Sequence, residues 1–183
     1  MTTDIHKVVD HAYRLVYIAK NVAHHRSLNS FRDDFHQSYW ILISSNFLDV
    51  AILEWCKVFG SKSDATHWTS NVPDDATFRT GLFEKLKVTE AEWSAYWECV
   101  KTYRDKVIAH YDSTSTVNDH PDFCLALKAC FYYYDMLNKQ LKRGSIGGYP
   151  ESLEDYYEKS LDQAKVFSET AYRATESLDD SDY

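Results

Sequence analysis

Hydrophobic residues recur along this chain at intervals of three and four, which predicts helices rather than strands. Over residues 3–26, Ile5, Val8, Val9, Ala12, Leu15, Val16, Ala19 and Val22 share one face. Thr3 or Asp4 can cap this first helix. His24-His25-Arg26 closes it with charge of the sign that a helix C-terminus favours. From 29 to 59 the apolar positions cover most of the circumference. Ile41, Leu48, Ile52, Trp55 and Phe59 form one stripe, and Trp40, Ile43, Phe47, Val50 and Ala51 fill much of another. Such a helix is expected in the middle of a bundle. A polar line remains on it: Ser38, Ser45, Asn46 and Asp49, whose groups need partners if buried. Gly60 marks its end.

Residues 61–72 read as a polar connection, and 73–87 as a short helix and connector, with Pro73 suited to a first turn. Thr89-Glu90-Ala91-Glu92 matches a capping box. It opens a helix over 90–110, with Trp93, Tyr96, Trp97, Val100, Tyr103, Val107 and Ile108 at helical spacing. Asp112 to His120 is a polar loop. A further helix, 121–142, carries Tyr132-Tyr133-Tyr134, read as core and interface packing. Gly144-Ser145-Ile146-Gly147-Gly148 is a hinge without the Gly-Lys-Ser/Thr ending of a phosphate-binding loop. Pro150 begins a last amphipathic helix to about Ser177, which packs on the bundle or on a second subunit. The expected fold is an all-α, up-and-down helical bundle: one domain over 1–178, with an acidic tail at 179–183.

Composition narrows the function classes. The scarcity of Gly (5) and Pro (3) fits long helices better than many tight turns. Cys56, Cys99, Cys124 and Cys130 form no CxxC pair and sit in apolar runs, so reduced core thiols are expected. A net charge of −8 argues against a general nucleic-acid coat but leaves room for a local basic site. No leader pattern and no apolar run near ~20 residues is evident. A soluble, cytoplasmic protein without membrane contact is expected. Adjacent helical residues point ~100° apart, so His24-His25 makes a poor metal pair. Neither a metal nor a cofactor is expected.

The chemistry concentrates at one place. Arg104-Asp105-Lys106-Val107-Ile108-Ala109-His110 puts a strong cation and a titratable group near a helix end. On a straight α-helix six steps separate two residues by ~9 Å along the axis and ~120° around it. Arg104 and His110 therefore meet only if the helix unwinds after Ala109, or if two copies cross at a twofold axis and form a composite cleft. That cleft suits phosphoryl chemistry on RNA. A histidine can move the proton of a ribose 2′-hydroxyl, and an arginine can hold the nonbridging oxygens. Asp105 and Asp112 can orient the pair, and Lys106 or Lys101 can attract the backbone. Asn46 and Asp49 either reach a neighbouring helix or solvent, or face this site. The ordering of acids early and cations late on the helix also satisfies the dipole without any catalysis.

These residues carry a resemblance. The run from Arg104 to His110 resembles the R-x4-6-H signature of the HEPN superfamily. Trp55-Cys56-Lys57-Val58-Phe59-Gly60 with Thr66-His67-Trp68 is similar to HEPN proteins of the bacterial abortive-infection type U kind. The resemblance covers about residues 1–142, with the helix over about 150–177 as an addition. It implies a homodimeric, metal-independent endoribonuclease of a toxin–antitoxin or phage-defence system, with RNA as substrate and a cognate antitoxin as partner. Arg104 and His110 match the family's catalytic pair. Asp105 matches a polar position where many members carry Asn. Tyr111 and Asp112 follow as supporting residues. Some members are noncatalytic, so an interaction or nucleotide-binding module is the alternative.

Overall fold

A computed structural model describes residues 4–31, 37–109, 120–144 and 146–178. Among these, six α-helices follow in chain order: α1 Ile5–Asn29, α2 Ser38–Phe59, α3 Asp75–Leu86, α4 Glu90–Tyr103, α5 Cys124–Arg143 and α6 Leu153–Thr175. A short 3-10 turn, Trp68–Ser70, precedes α3, and a π-helical segment, Arg104–Ala109, continues α4. The fold is all-α.

Local chemistry sets the helix ends. Asp4 caps α1 by accepting from the His6 amide at 3.1 Å. The Thr89–Glu92 box closes in both directions. Glu92 Oε2 accepts from the Thr89 amide at 2.7 Å, and Thr89 Oγ1 accepts from the Glu92 amide at 3.2 Å. Asp74 caps α3, so Pro73 precedes the cap instead of entering the first turn, and Ser152 caps α6. Gly60 ends α2 by close approach: a Cβ there would lie 2.1 Å from the Cys56 carbonyl oxygen.

Residue pairs fix the helix directions. Arg14 Nη1 donates to Glu54 at 2.8 Å and His25 contacts Ser44, so α1 and α2 are antiparallel. Trp97 reaches Phe59 and Tyr103 reaches Asp49, so α4 opposes α2. His11 meets Tyr133, and Arg26 meets Cys124, so α5 opposes α1. The order is therefore up-and-down. The last helix, α6, runs alongside α1 in the same direction, with Ser27 Oγ donating to Ser168 Oγ at 2.9 Å. Tyr157, Ala164, Ser168 and Tyr172 are its buried face, so it packs on this bundle.

The central helix is α1, not α2. It packs on α2, α5 and α6 together, and Val8, His11, Ala12, Leu15, Ile18, Ala19 and Val22 are at most 1% exposed. Its alanines let three neighbours approach. The first turns of α2 instead expose Tyr39, Ile41 and Leu42. The core focuses on Trp55, which contacts Phe59, Trp93, Tyr96 and Phe123. Tyr133 and Tyr134 are fully buried, in keeping with core packing. Cys56 and Cys130 are buried, but Cys99 and Cys124 are exposed, which corrects the expectation of four core thiols. Cys99 sits on the outer side of α4, and Cys124 at the first turn of α5. No helix among the described residues is long and apolar enough to cross a membrane.

Candidate functional site

The helix that begins at the Thr89 cap keeps α-helical register to Tyr103. The backbone then widens, and Arg104–Ala109 is π-helical and packs on α2. This corrects the expectation of unbroken α-helix over 90–110. Val107 and Ile108 within it are β-branched, which slightly lowers their preference for the α-helix. Such turns are rare and occur frequently at functional sites.

Arg104 opens the segment. Its Nε and Nη2 lie 2.6 and 2.5 Å from Asp105 Oδ1. The acid that would otherwise repel a phosphate is thus neutralised by the arginine beside it. A guanidinium has five donors, more than one carboxylate oxygen can take. The two side chains keep 25% and 44% of their exposure. An ion pair this wet is worth about 0–1 kcal/mol, so a phosphate can compete for the guanidinium. Lys106 is exposed, and the Lys101 ammonium lies 4.9 Å above the Trp97 ring. His110, Tyr111 and Asp112 lie outside the described residues.

On the facing helix, Asn46 is exposed and Asp49 is half-buried. Asp49 Oδ1 accepts from the Tyr103 hydroxyl at 3.1 Å. The same oxygen lies 3.4 Å from His120 Nε2, within ion-pair reach but without hydrogen-bond geometry. Burial, then the Asp49 charge, raises the Tyr103 hydroxyl above its ordinary range, so it remains a donor. Asp49 therefore reaches a neighbouring helix, and that helix leads into Arg104.

A cleft of about 630 Å³ opens beside this network, lined in part by His25, Arg26, His120, Asp122 and Cys124. His25 Nδ1 donates to the Ser44 carbonyl at 2.8 Å, which fixes its tautomer. The His25 and His120 rings are 6.1 Å apart, and His120 lies 5.2 Å from Tyr103. Arg26 donates to Tyr157 Oη at 2.9 Å and to Cys124 Sγ at 3.1 Å, joining α1, α5 and α6. Sequence reasoning found Asp49 but missed His120 and His25 as its surroundings. The available signal was a carboxylate set among apolar residues on α2, which needs a partner if buried.

Arg104 and Lys101 share one side of the helix. Burial pushes the Cys56 thiol up to about 11, and both cations act on it in the opposite sense. Among the described residues, no group of three His, Cys, Asp or Glu side chains is arranged to hold a metal ion. Comparison with known protein families, characterised proteins and solved structures finds no match for this chain.

Proposed function

We propose that this protein is a metal-independent endoribonuclease of the HEPN type, acting in a toxin–antitoxin or phage-defence system. The observation that carries the reading is the π-helical turn that opens at Arg104, anchored to α2 through Tyr103 and Asp49. It supports a specialised local geometry within the R-x5-H motif itself.

The chemistry is as follows. The His110 imidazole takes the proton of a ribose 2′-hydroxyl. The freed oxygen attacks the adjacent phosphorus, and the bond to the 5′ oxygen of the next nucleotide breaks. An imidazolium returns a proton to that leaving oxygen, leaving a 2′,3′-cyclic phosphate and a 5′-hydroxyl. Arg104 holds the nonbridging oxygens as their charge grows. In a homodimer with a composite cleft, one histidine serves as base and the other as acid. Lys101 and Lys106 supply local positive charge in an acidic chain, and a cognate antitoxin would restrain the enzyme.

A second reading is a noncatalytic interaction module. The Arg104–Asp105 ion pair favours it, because that pair already engages the guanidinium. Expression of the parent, Arg104→Ala and His110→Ala in bacterial cells separates the two. Growth arrest with RNA decay by the parent alone supports the enzyme. Equal behaviour of all three removes it.

A further inference from the structure

We propose that the cleft between the end of α2, α3 and α4 seats one unpaired nucleotide of an RNA strand. The base packs on Trp97 over a floor formed by the buried Trp68, and the phosphate meets Lys62, Arg79 and Lys101. This deepens the ribonuclease reading and rests on it for the identity of the strand.

The lining is unusual for this chain. The cleft, about 350 Å³, holds three tryptophans, Trp68, Trp93 and Trp97, and the three cations, but no carboxylate. The whole sequence carries 28 acids against 20 Lys and Arg. A basic, tryptophan-lined hollow in an acidic protein fits a planar ligand that bears negative charge.

Trp97 is half-buried and covered by a movable cation, while Trp68, only 5% exposed, forms the floor beneath Arg79. Trp68 stacks on Phe78 with centroids 4.1 Å apart, and the Arg79 guanidinium lies 5.7 Å from the Trp68 centroid. Trp97 is pinned by its Nε1, which donates to the Phe59 carbonyl at 2.6 Å, and Lys101 Nζ sits 4.9 Å over the ring. Cation–π contacts at wet sites are worth about 0.5–1 kcal/mol. A base stacked on an aromatic side chain is worth about 1–3 kcal/mol. An incoming base therefore displaces Lys101 from the Trp97 ring, and the ammonium turns to its phosphate.

Asp75 is the competing acid. It lies 2.7 Å from Lys62 Nζ and 3.9 Å from Arg79 Nε. The Lys62 and Arg79 side chains are 69% and 42% exposed, so these pairs are weak and exchangeable. The cleft lies at the small end of ligand pockets, about 300–1,000 Å³. A duplex cannot enter it; a base must first leave its stack. Lys101 lies one helical turn before Arg104, at a spacing whose Cβ atoms are ~5–6 Å apart. The cleft's Lys101 thus lies beside Arg104, the first residue of the proposed catalytic pair.

The test uses tryptophan emission of the full chain titrated with an uncleavable 2′-O-methyl RNA oligonucleotide. The expected result is saturable quenching. Binding should weaken at least tenfold in Arg79→Ala/Lys101→Ala, while Lys159→Ala on the outer side of α6 leaves it unchanged. The same strand annealed to its complement should bind at least tenfold more weakly. Circular dichroism checks each fold. Lys101→Gln, which keeps the aliphatic stem on Trp97, should show the same direction if the double variant misfolds. Parent-like binding by these variants, or equal binding of the duplex, overturns the proposal. A free mononucleotide that binds as tightly as the strand overturns the assignment to a strand. Binding is read without cleavage, so a bound but uncut natural RNA would fail the ribonuclease reading alone.

Discussion

The Tyr103 hydroxyl donates to Asp49 at 3.1 Å, tying the last α-helical turn before Arg104 to the polar line of α2. Nearly all of Tyr103 is buried, so the bond forms where water cannot easily replace it. Tyr103→Phe should cost about 1.5–3 kcal/mol in urea unfolding, the usual loss for one hydrogen bond to a charged group. Because the bond positions the motif, RNA cleavage should fall through kcat more than KM. A displacement of about 1 Å is enough for such an effect. Parent-like kcat in Tyr103→Phe would detach this bond from function.

Arg104→Lys keeps the charge but loses the planar fork that holds two phosphate oxygens. Stability should stay within about 0.5 kcal/mol, as for other partly exposed positions. Cleavage should fall at least about tenfold, the scale of one lost charge-assisted contact. A thermal melt and a cleavage assay on the same preparation check both halves.

Two buried histidines should make the fold acid-sensitive. His11 Nδ1 lies 2.8 Å from Tyr133 Oη, and His67 Nδ1 lies 2.8 Å from Thr69 Oγ1. Burial lowers each pKa to about 4, against an ordinary value of 6.5. The unfolded chain therefore binds protons that the folded chain refuses. Stability is full above pH ~6.5, falls as pH drops toward ~4, and levels off below that. The loss is on the order of 3 kcal/mol per histidine. Urea unfolding at a series of pH values should show that slope. His11→Gln should flatten part of it, and an unchanged slope would contradict the assignment.

Gly60→Ala should destabilise by about 1–3 kcal/mol, the usual range for forced overpacking. The added methyl would meet the Cys56 carbonyl oxygen at 2.1 Å, and that oxygen is backbone, so the turn itself must shift. Gly60 also lines the tryptophan cleft, so nucleotide binding should weaken with it. A melting temperature equal to the parent's would show that the turn adapts freely.

Capping side chains in the sequence marked where α1 and α4 begin, whereas the helix expected from residue 29 starts only at Ser38, because α1 runs on through Asn29. The Thr89–Glu92 box acts over three residues, so it reads equally well before folding and after it. The middle of the bundle was harder to read. The most apolar helix, α2, leaves Ile41 and Leu42 in solvent, while α1 is enclosed because its alanines admit three neighbours. Centrality depends on how many faces are covered, and one helix's own pattern does not state that.

The candidate site was legible in the same uneven way. Arg104 and Asp49 stood out as charges beside apolar runs. The π-helical widening did not, because β-branched pairs such as Val107-Ile108 occur in ordinary helices as well. His120 was invisible as a neighbour of Asp49, since it arrives from a loop distant in sequence. The tryptophan cleft escaped for the same reason. Its residues come from α2, α3, α4 and the connection between α2 and α3, and each taken alone reads as core or surface.

The most direct test of the central claim is the chemistry of the cut ends. Purified parent, Arg104→Ala and His110→Ala are incubated with single-stranded RNA in excess EDTA, and the products are resolved by mass spectrometry. The parent should yield fragments ending in 2′,3′-cyclic phosphate and 5′-hydroxyl, neither variant should yield any, and a 2′-deoxy sugar at the cut position should protect the strand. Cleavage that persists in both variants, that needs a divalent metal, or that leaves a 5′-phosphate would contradict the claim.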